Sequence, residues 1–315
     1  MSQTVRIATV TLNPTIDQTV FIPNFQAGRV NRVTHSRFDP GGKGVNVASV
    51  LADFGLPVMV TGFLGEENTY IFEGMFARKK IDDRFVRIAG QTRVNIKISD
   101  EVNQTTTDIN FPGQPPSPAD VAALLQIVTA MTAECDWFVL SGSIPAGVSS
   151  DIYRLLIELI KRQGRAVALD TSGEGLRQAL PAGPTLVKPN IDELQELVGH
   201  PLTTQTEVVQ AAQSWLERGV ETVVVSMGAN GAIFVETDGT VLAHPPKVTV
   251  KSTVGAGDAM VSGTVAGKVQ ELSLAECARL ATAFSVGAIA RVGSGLPSLA
   301  AVENFKSQVT VETLN

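Results

Sequence analysis

From residue 118 onward the chain alternates helix and strand signals, and that alternation limits the folds open to it. Apolar positions at helical spacing fill about 118–132 and 150–163, the second through Ile152, Leu155, Leu156, Leu159 and Ile160. Further helices are predicted over 173–180, 191–198, 205–218 and about 273–291. Between them lie strand-like runs at 137–142, 166–170, 185–188, 221–226, 232–236, 241–244 and 249–251. Strands joined through helices of about ten residues or more imply right-handed crossovers and a mostly parallel sheet. Ligands of such sheets sit outside the carboxyl ends of the strands. Asn13, Ser141, Asp170, Asn190, Ser226 and a turn at Gly255 all follow predicted strands and so share one rim.

The N-terminal part is different. Residues 5–12, VRIATVTL, and 57–63, PVMVTGF, read as buried strands. Residues 18–38 read instead as short strands and turns with exposed apolar residues, suited to a small sheet projecting from the main body, and 84–112 as strands separated by turns. In RVNIKIS the polar Arg93, Asn95 and Lys97 alternate with Val94, Ile96 and Ile98, so one face is basic; Arg93 is an anion candidate or part of a solvated face.

Composition excludes several functions. A hydrophobic content of 44% with 18% charged residues is that of a soluble globular enzyme. The net charge of −6 argues against a nucleic-acid partner. Two cysteines, Cys135 and Cys277, in apolar contexts give no disulfide scaffold, and a reducing cytoplasm is expected. Three scattered histidines make no zinc site. No stretch approaches the roughly 18 apolar residues of a membrane span, and no basic segment followed by an apolar core opens the chain; neither membrane insertion nor secretion is expected.

Two glycine-rich stretches carry the chemistry. In Ser252-Thr253-Val254-Gly255-Ala256-Gly257-Asp258, two glycines around an alanine turn successive N–H groups into one hollow at a helix start, a site for anionic oxygen. Asp258 at its rim is either a first-turn dipole partner or a base that takes a proton from a hydroxyl attacking a phosphate. In Gly41-Gly42-Lys43-Gly44-Val45-Asn46 a second glycine-rich start carries a lysine without the spacing of a P-loop. It holds a phosphate through Lys43 and a sugar through Asn46, or it is a tight turn with a solvent lysine. The two stretches are expected at opposite ends of one pocket.

Asp17, after the turn Asn13-Pro14-Thr15, grips sugar hydroxyls or is a turn residue. In Lys188-Pro189-Asn190-Ile191-Asp192-Glu193, Lys188 can reach a nucleotide phosphate, and Glu193 completes a capping box with Asn190 or orders water around magnesium. Ser226 to Gly231 is a strand-end turn suited to nucleotide contact. Together these parts suggest a kinase.

The stretch Ser252–Asp258 resembles the C-terminal signature of the ribokinase-like, or PfkB, sugar kinases. Gly41–Asn46 resembles their N-terminal signature, and Asn190–Glu193 their N-x-x-E motif. The similarity extends through TLNPTID, TRVNIK, TDINFPG, LSGSIPAGV and LVKPN, over essentially the whole chain. It implies one domain over 1–315: a ribokinase-like three-layer α/β/α sandwich with a mostly parallel central sheet and a small β-sheet lid from about 12–38 and 88–112. It implies ATP and Mg²⁺, with Asp258 as general base and Gly255, Ala256 and Gly257 as the anion hole. Asp17, Gly41, Gly42, Lys43, Asn46 and Arg93 would hold a sugar phosphate, with Arg29 reaching across a homodimer formed through the lid. Lys188, Asn190, Ser226, Gly228, Gly231 and Thr253 would serve the nucleotide, and Glu193 the metal through water. TLNPTID, GGKGVNVA and TDINFPG point to a ketose phosphate, fructose 1-phosphate first, with tagatose 6-phosphate and fructose 6-phosphate as alternatives. A non-catalytic sugar-phosphate sensor on the same scaffold would tolerate loss of Asp258 or Glu193, and both are present.

Overall fold

Continuous apolar strands need cover on both faces, and the main sheet has it. The computed structural model describes residues 5–291, 293 and 295–314; residues 1–4 and 315, the ends of the expected single domain, lie outside the described residues. At the centre of the sheet, Val58–Gly65, Ile7–Thr11, Trp137–Ser141, Ala166–Asp170, Leu186–Val187 and Thr222–Ser226 run parallel in that order. Ala232–Glu236, Gly239–His244 and Thr310–Leu314 extend it antiparallel on one side. The short strands Asp82–Asp83 and Val86–Ile88 close the other.

Alternate residues of each strand feed two separate cores. Ile7, Val139, Ala168 and Leu186 join a cluster with the helices Lys43–Asp53, Ala256–Val269 and Leu274–Ile289. Val10, Leu140, Leu169 and Val187 join the cluster on the opposite face with Pro118–Met131, Ile152–Arg162 and Gln205–Leu216. This is the α/β/α arrangement expected. The small residues of the Ala256 helix have a packing reason: a Cβ on Gly263 would lie 2.6 Å from Ala281 Cα of the next helix.

Four strands form a second sheet, in the order His35–Gly41, Thr15–Phe21, Val94–Asp100, Thr105–Ile109. Its register puts Asp17, Asp39, Asn95, Lys97 and Thr19 on one face and Phe38, Val20, Ile96, Ile98 and Ile109 on the other.

Two features differ from the sequence reading. Residues 249–251 form no strand: both edges of Gly239–His244 are occupied, by Ala232–Glu236 and Thr310–Leu314, so the β-branched run has no partner. It runs as irregular chain, tied by Lys251 N to Ile289 O (2.8 Å). The helix Leu299–Gln308, capped by Ser298, and the edge strand Thr310–Leu314 were not anticipated; the strand alternates too little apolar character to be read as one.

Candidate active site

Strand parity builds the floor of the site. Ala168 faces the Lys43 helix, so Asp170, two residues on, faces it too; by the same rule Leu186 fixes Lys188, Val139 fixes Ser141, and Ile7 fixes Thr11. These polar ends lie beneath the N-termini of the Lys43 and Ala256 helices. The residues before those helices, Gly42 and Gly255, have φ of 108° and 82° and supply no side-chain cap, so the first-turn N–H groups stay available to an anion. Gly44 is needed for close approach, since a Cβ there would meet Thr11 Oγ1 at 2.4 Å.

The two glycine turns, expected at opposite ends of a pocket, are side by side. The Lys43 helix packs against the Ala256 helix, and Asn46 Nδ2 donates to Asp258 Oδ2 at 2.7 Å. Lys43 Nζ and Lys188 Nζ lie 3.3 and 3.4 Å from the same oxygen, Asp170 Oδ1. A Cβ on Gly257 would sit 3.5 Å from Lys188 Nζ, which brings that ammonium to the mouth of the second turn. Lys43 and Lys188 thus meet at one carboxylate beneath the two glycine turns.

Burial sets the charge states. The Asp258 carboxyl is pushed up to about 6, by desolvation first and then by the Asp170 charge, against the pull of Asn46, Lys43 and Lys188. Desolvation would also raise Asp170, but Lys188 and Lys43 outweigh it and hold that group below the usual carboxylate range. Desolvation of Lys43 is likewise outweighed, by Asp170, Asp258 and Glu193, and its ammonium form is favoured.

Above this floor a cleft of about 610 Å³ separates the polar face of the small sheet from the body. Asp17, Asn46, Lys97, Thr253 and Gly255 line it. Burial raises the Asp17 carboxyl, with Lys97 opposing. Gly41 must lack a side chain, because its Cβ would lie 2.8 Å from Asp17 Oδ2. Lys97 enters the cleft beside Asp17, a role its place on a basic strand face did not single out.

Arg93 occupies a neighbouring corner. Its guanidinium donates to Pro14 O (3.2 Å), Asn13 O (3.0 Å) and Phe111 O (3.0 Å), which fixes the plane and leaves two N–H groups unspent. Asn13 Nδ2 donates to Ser143 Oγ at 3.0 Å, leaving the serine proton free to point elsewhere. Ser143 was not among the sequence candidates; the small-residue end of the run LSGS is the signal that marks it. Gly142 next to it would bring a Cβ 3.7 Å from Lys43 Cβ. Arg93, Ser143, Lys43, Lys188 and Gly257 thus follow one another along the rim.

At the other side, Asn190 and Glu193 form a full capping box, Asn190 N to Glu193 Oε2 and Glu193 N to Asn190 Oδ1, both 2.8 Å. Asn190 bridges to Ser226 at the strand ends. Gly228 has φ 60°, and Gly231 is required by its packing, since a Cβ would be 2.1 Å from Ala243 O. Arg29 lies in the exposed loop before His35–Gly41, outside the cleft lining. No group of three or more His, Cys, Asp or Glu side chains suited to a metal exists among the described residues.

Known proteins are similar to this chain over nearly its full length. The family model described as pfkB family carbohydrate kinase matches residues 10–301. A protein of Rhodobacter capsulatus named 1-phosphofructokinase is 48% identical over 312 residues, covering 99% of both chains. The solved structure of a possible 1-phosphofructokinase from Thermotoga maritima superposes with a TM-score of 0.89 at 32% identity, over 98% of this chain and 100% of that one. Phosphofructokinase-2 from Escherichia coli in complex with fructose 6-phosphate superposes with a TM-score of 0.88 at 30% identity, over 96% and 99%. The chain belongs to the pfkB family of carbohydrate kinases.

Proposed function

We propose that this chain transfers the γ-phosphoryl group of ATP to O6 of fructose 1-phosphate, giving fructose 1,6-bisphosphate and ADP. The observation that carries the reading is a buried carboxylate, Asp258, held by Asn46 beside two ammonium groups at paired helix N-termini. The O6 proton passes to Asp258 as O6 bonds to the γ-phosphorus. The bond from that phosphorus to the β–γ bridging oxygen breaks, and its electron pair leaves with ADP. N–H groups of the Gly255-Ala256-Gly257 turn, with Lys43 and Lys188, stabilise the charge on the transferring oxygens.

The phosphate already on the sugar takes the two unspent N–H groups of Arg93 and the Ser143 hydroxyl. Asp17 and Asn46 hold sugar hydroxyls, where Gly41 and Gly42 let the backbone come close. The nucleotide lies along Thr253, Asn190, Ser226, Gly228 and Gly231. Magnesium fits this rim in hydrated form. Glu193 spends Oε2 on its cap and has Oε1 for a metal-bound water, and Mg²⁺ keeps several waters and needs few protein ligands. When bound, it neutralises phosphate charge.

The lid's outer face suits a second copy of this chain. Phe38 is 50% and Ile109 43% exposed there, beside the partly buried Ile96, and apolar sheet faces call for cover. No described helix is long and apolar enough to cross a membrane. Fructose 6-phosphate is the second substrate reading, favoured by the complex of the Escherichia coli relative. The 48% relative named for the 1-phosphate ranks it lower.

Phosphorus-31 NMR of a reaction with Mg-ATP and fructose 1-phosphate tests the proposal. Expected is one ADP per molecule of sugar carrying phosphates at both C1 and C6. ATP hydrolysis without bisphosphate would overturn it.

A further inference from the structure

Asp170 is the most buried charge in the site, 1% exposed, and the proposed reaction gives it no contact with either substrate. Its Oδ1 receives Lys43 from one helix N-terminus and Lys188 from a neighbouring strand end, while Oδ2 has no hydrogen-bond partner among the described residues. Lys188 is itself only 5% exposed, and Asp170 is the acid it pairs with. Buried ammonium groups on flexible stems need such a partner to stay charged and in place.

We propose that Asp170 is a positioning residue that holds the Lys43 and Lys188 ammonium groups together at the mouth of the Gly255 turn, so that one transferring phosphoryl group meets both. This rests on the phosphoryl-transfer reading and deepens it. The geometry has a clear economy. A single oxygen fixes two cations from different elements, and strand parity places it at the foot of both helices. The same carboxylate also faces Asp258. The groups around Asp258 are Asn46 and Lys43 from the first helix and Asp170 and Lys188 from the strand ends, with Glu193 acting on Lys43 from the rim. Without the Asp170 charge, the two lysines act on Asp258 unopposed and its ionised form is favoured.

The test is Asp170→Asn in the full chain, with fructose 1-phosphate and Mg-ATP. Expected are a kcat lower by at least about tenfold, a sugar-phosphate KM changed by less than about threefold, and an acid limb of the kcat profile moved to lower pH. The substrate's own phosphate ionisation is common to both enzymes and does not produce the shift. A kcat within about twofold of wild type with an unmoved limb overturns the proposal. So does a loss cured by raised Mg²⁺, which would assign Asp170 to the cation. Should Asp170→Asn fail to fold, the double variant with Lys188→Met removes the unpaired ammonium. Its kcat should fall at least about fivefold below that of Lys188→Met alone, because Lys43 has lost its anchor, and equal values overturn the proposal. If wild type does not turn over fructose 1-phosphate, the substrate reading fails, and the same comparison is made with the sugar phosphate it does turn over.

Discussion

Burial, with Asp170 adding to it, raises the Asp258 carboxyl from 3.8 to about 6, so at neutral pH the folded chain carries a charge that the unfolded chain bears more easily. The folded state binds the extra proton, so this group favours folding fully below 3.8. It loses that contribution as pH rises from 3.8 through about 6. At about 1.4 kcal/mol per pH unit the displacement sets an upper figure of about 3 kcal/mol. Asp258→Asn keeps the shape and the Asn46 contact while removing the charge. We expect it to be more stable than wild type by about 1–3 kcal/mol at pH 8 in urea denaturation, with the gap closing by pH 4. Its kcat should fall by at least about 10²-fold. A variant less stable than wild type at pH 8, or one with near-normal turnover, would contradict the base assignment. At this scale the sequence was informative about identity and weak about placement. Asp258, Lys43 and Asn46 stood out as chemistry, but the meeting of Lys43 with Lys188 at Asp170 depends on which face each strand end presents, and that is settled only when the strands pair.

Among elements, the paired helices beginning at Lys43 and Ala256 are legible as glycine-led starts; their adjacency across 212 residues is not, because it comes from the crossover path that brings the two helices together on one face of the sheet. The small sheet is similar. Alternation in RVNIKIS gives its two faces, yet the order that puts Thr15–Phe21 between His35–Gly41 and Val94–Asp100 joins segments far apart in the chain. Asp100 is the device that closes its tip. Its carboxylate accepts from the backbone N–H groups of Asn24, Phe25, Val102 and Asn103 and from Asn103 Nδ2. Desolvation would raise this group, but those bonds prevail and hold it at about 2. The stabilisation is therefore complete above the ordinary value of 3.8 and lost only as pH falls through about 2. Asp100→Ala should speed amide hydrogen exchange at Asn24 and Phe25 by at least about tenfold at pH 7, with the main sheet unaffected. Unchanged exchange would mean the loop is held from elsewhere.

For the whole molecule, the helix–strand alternation after residue 118 was sufficient for a parallel core, and the antiparallel end was harder. The run at 249–251 has strand composition but no free sheet edge, and Thr310–Leu314 has the edge but little strand composition. The exposed outer face of the small sheet makes assembly part of the account. Phe38→Asp should convert a dimer to a monomer in light scattering, and a wild type that is already monomeric at micromolar concentration would remove the lid interface. The most direct test of the central claim is kcat/KM with Mg-ATP for fructose 1-phosphate against fructose 6-phosphate and tagatose 6-phosphate. Fructose 1-phosphate is expected to exceed both by at least about tenfold. A higher value for either of the other two would contradict it.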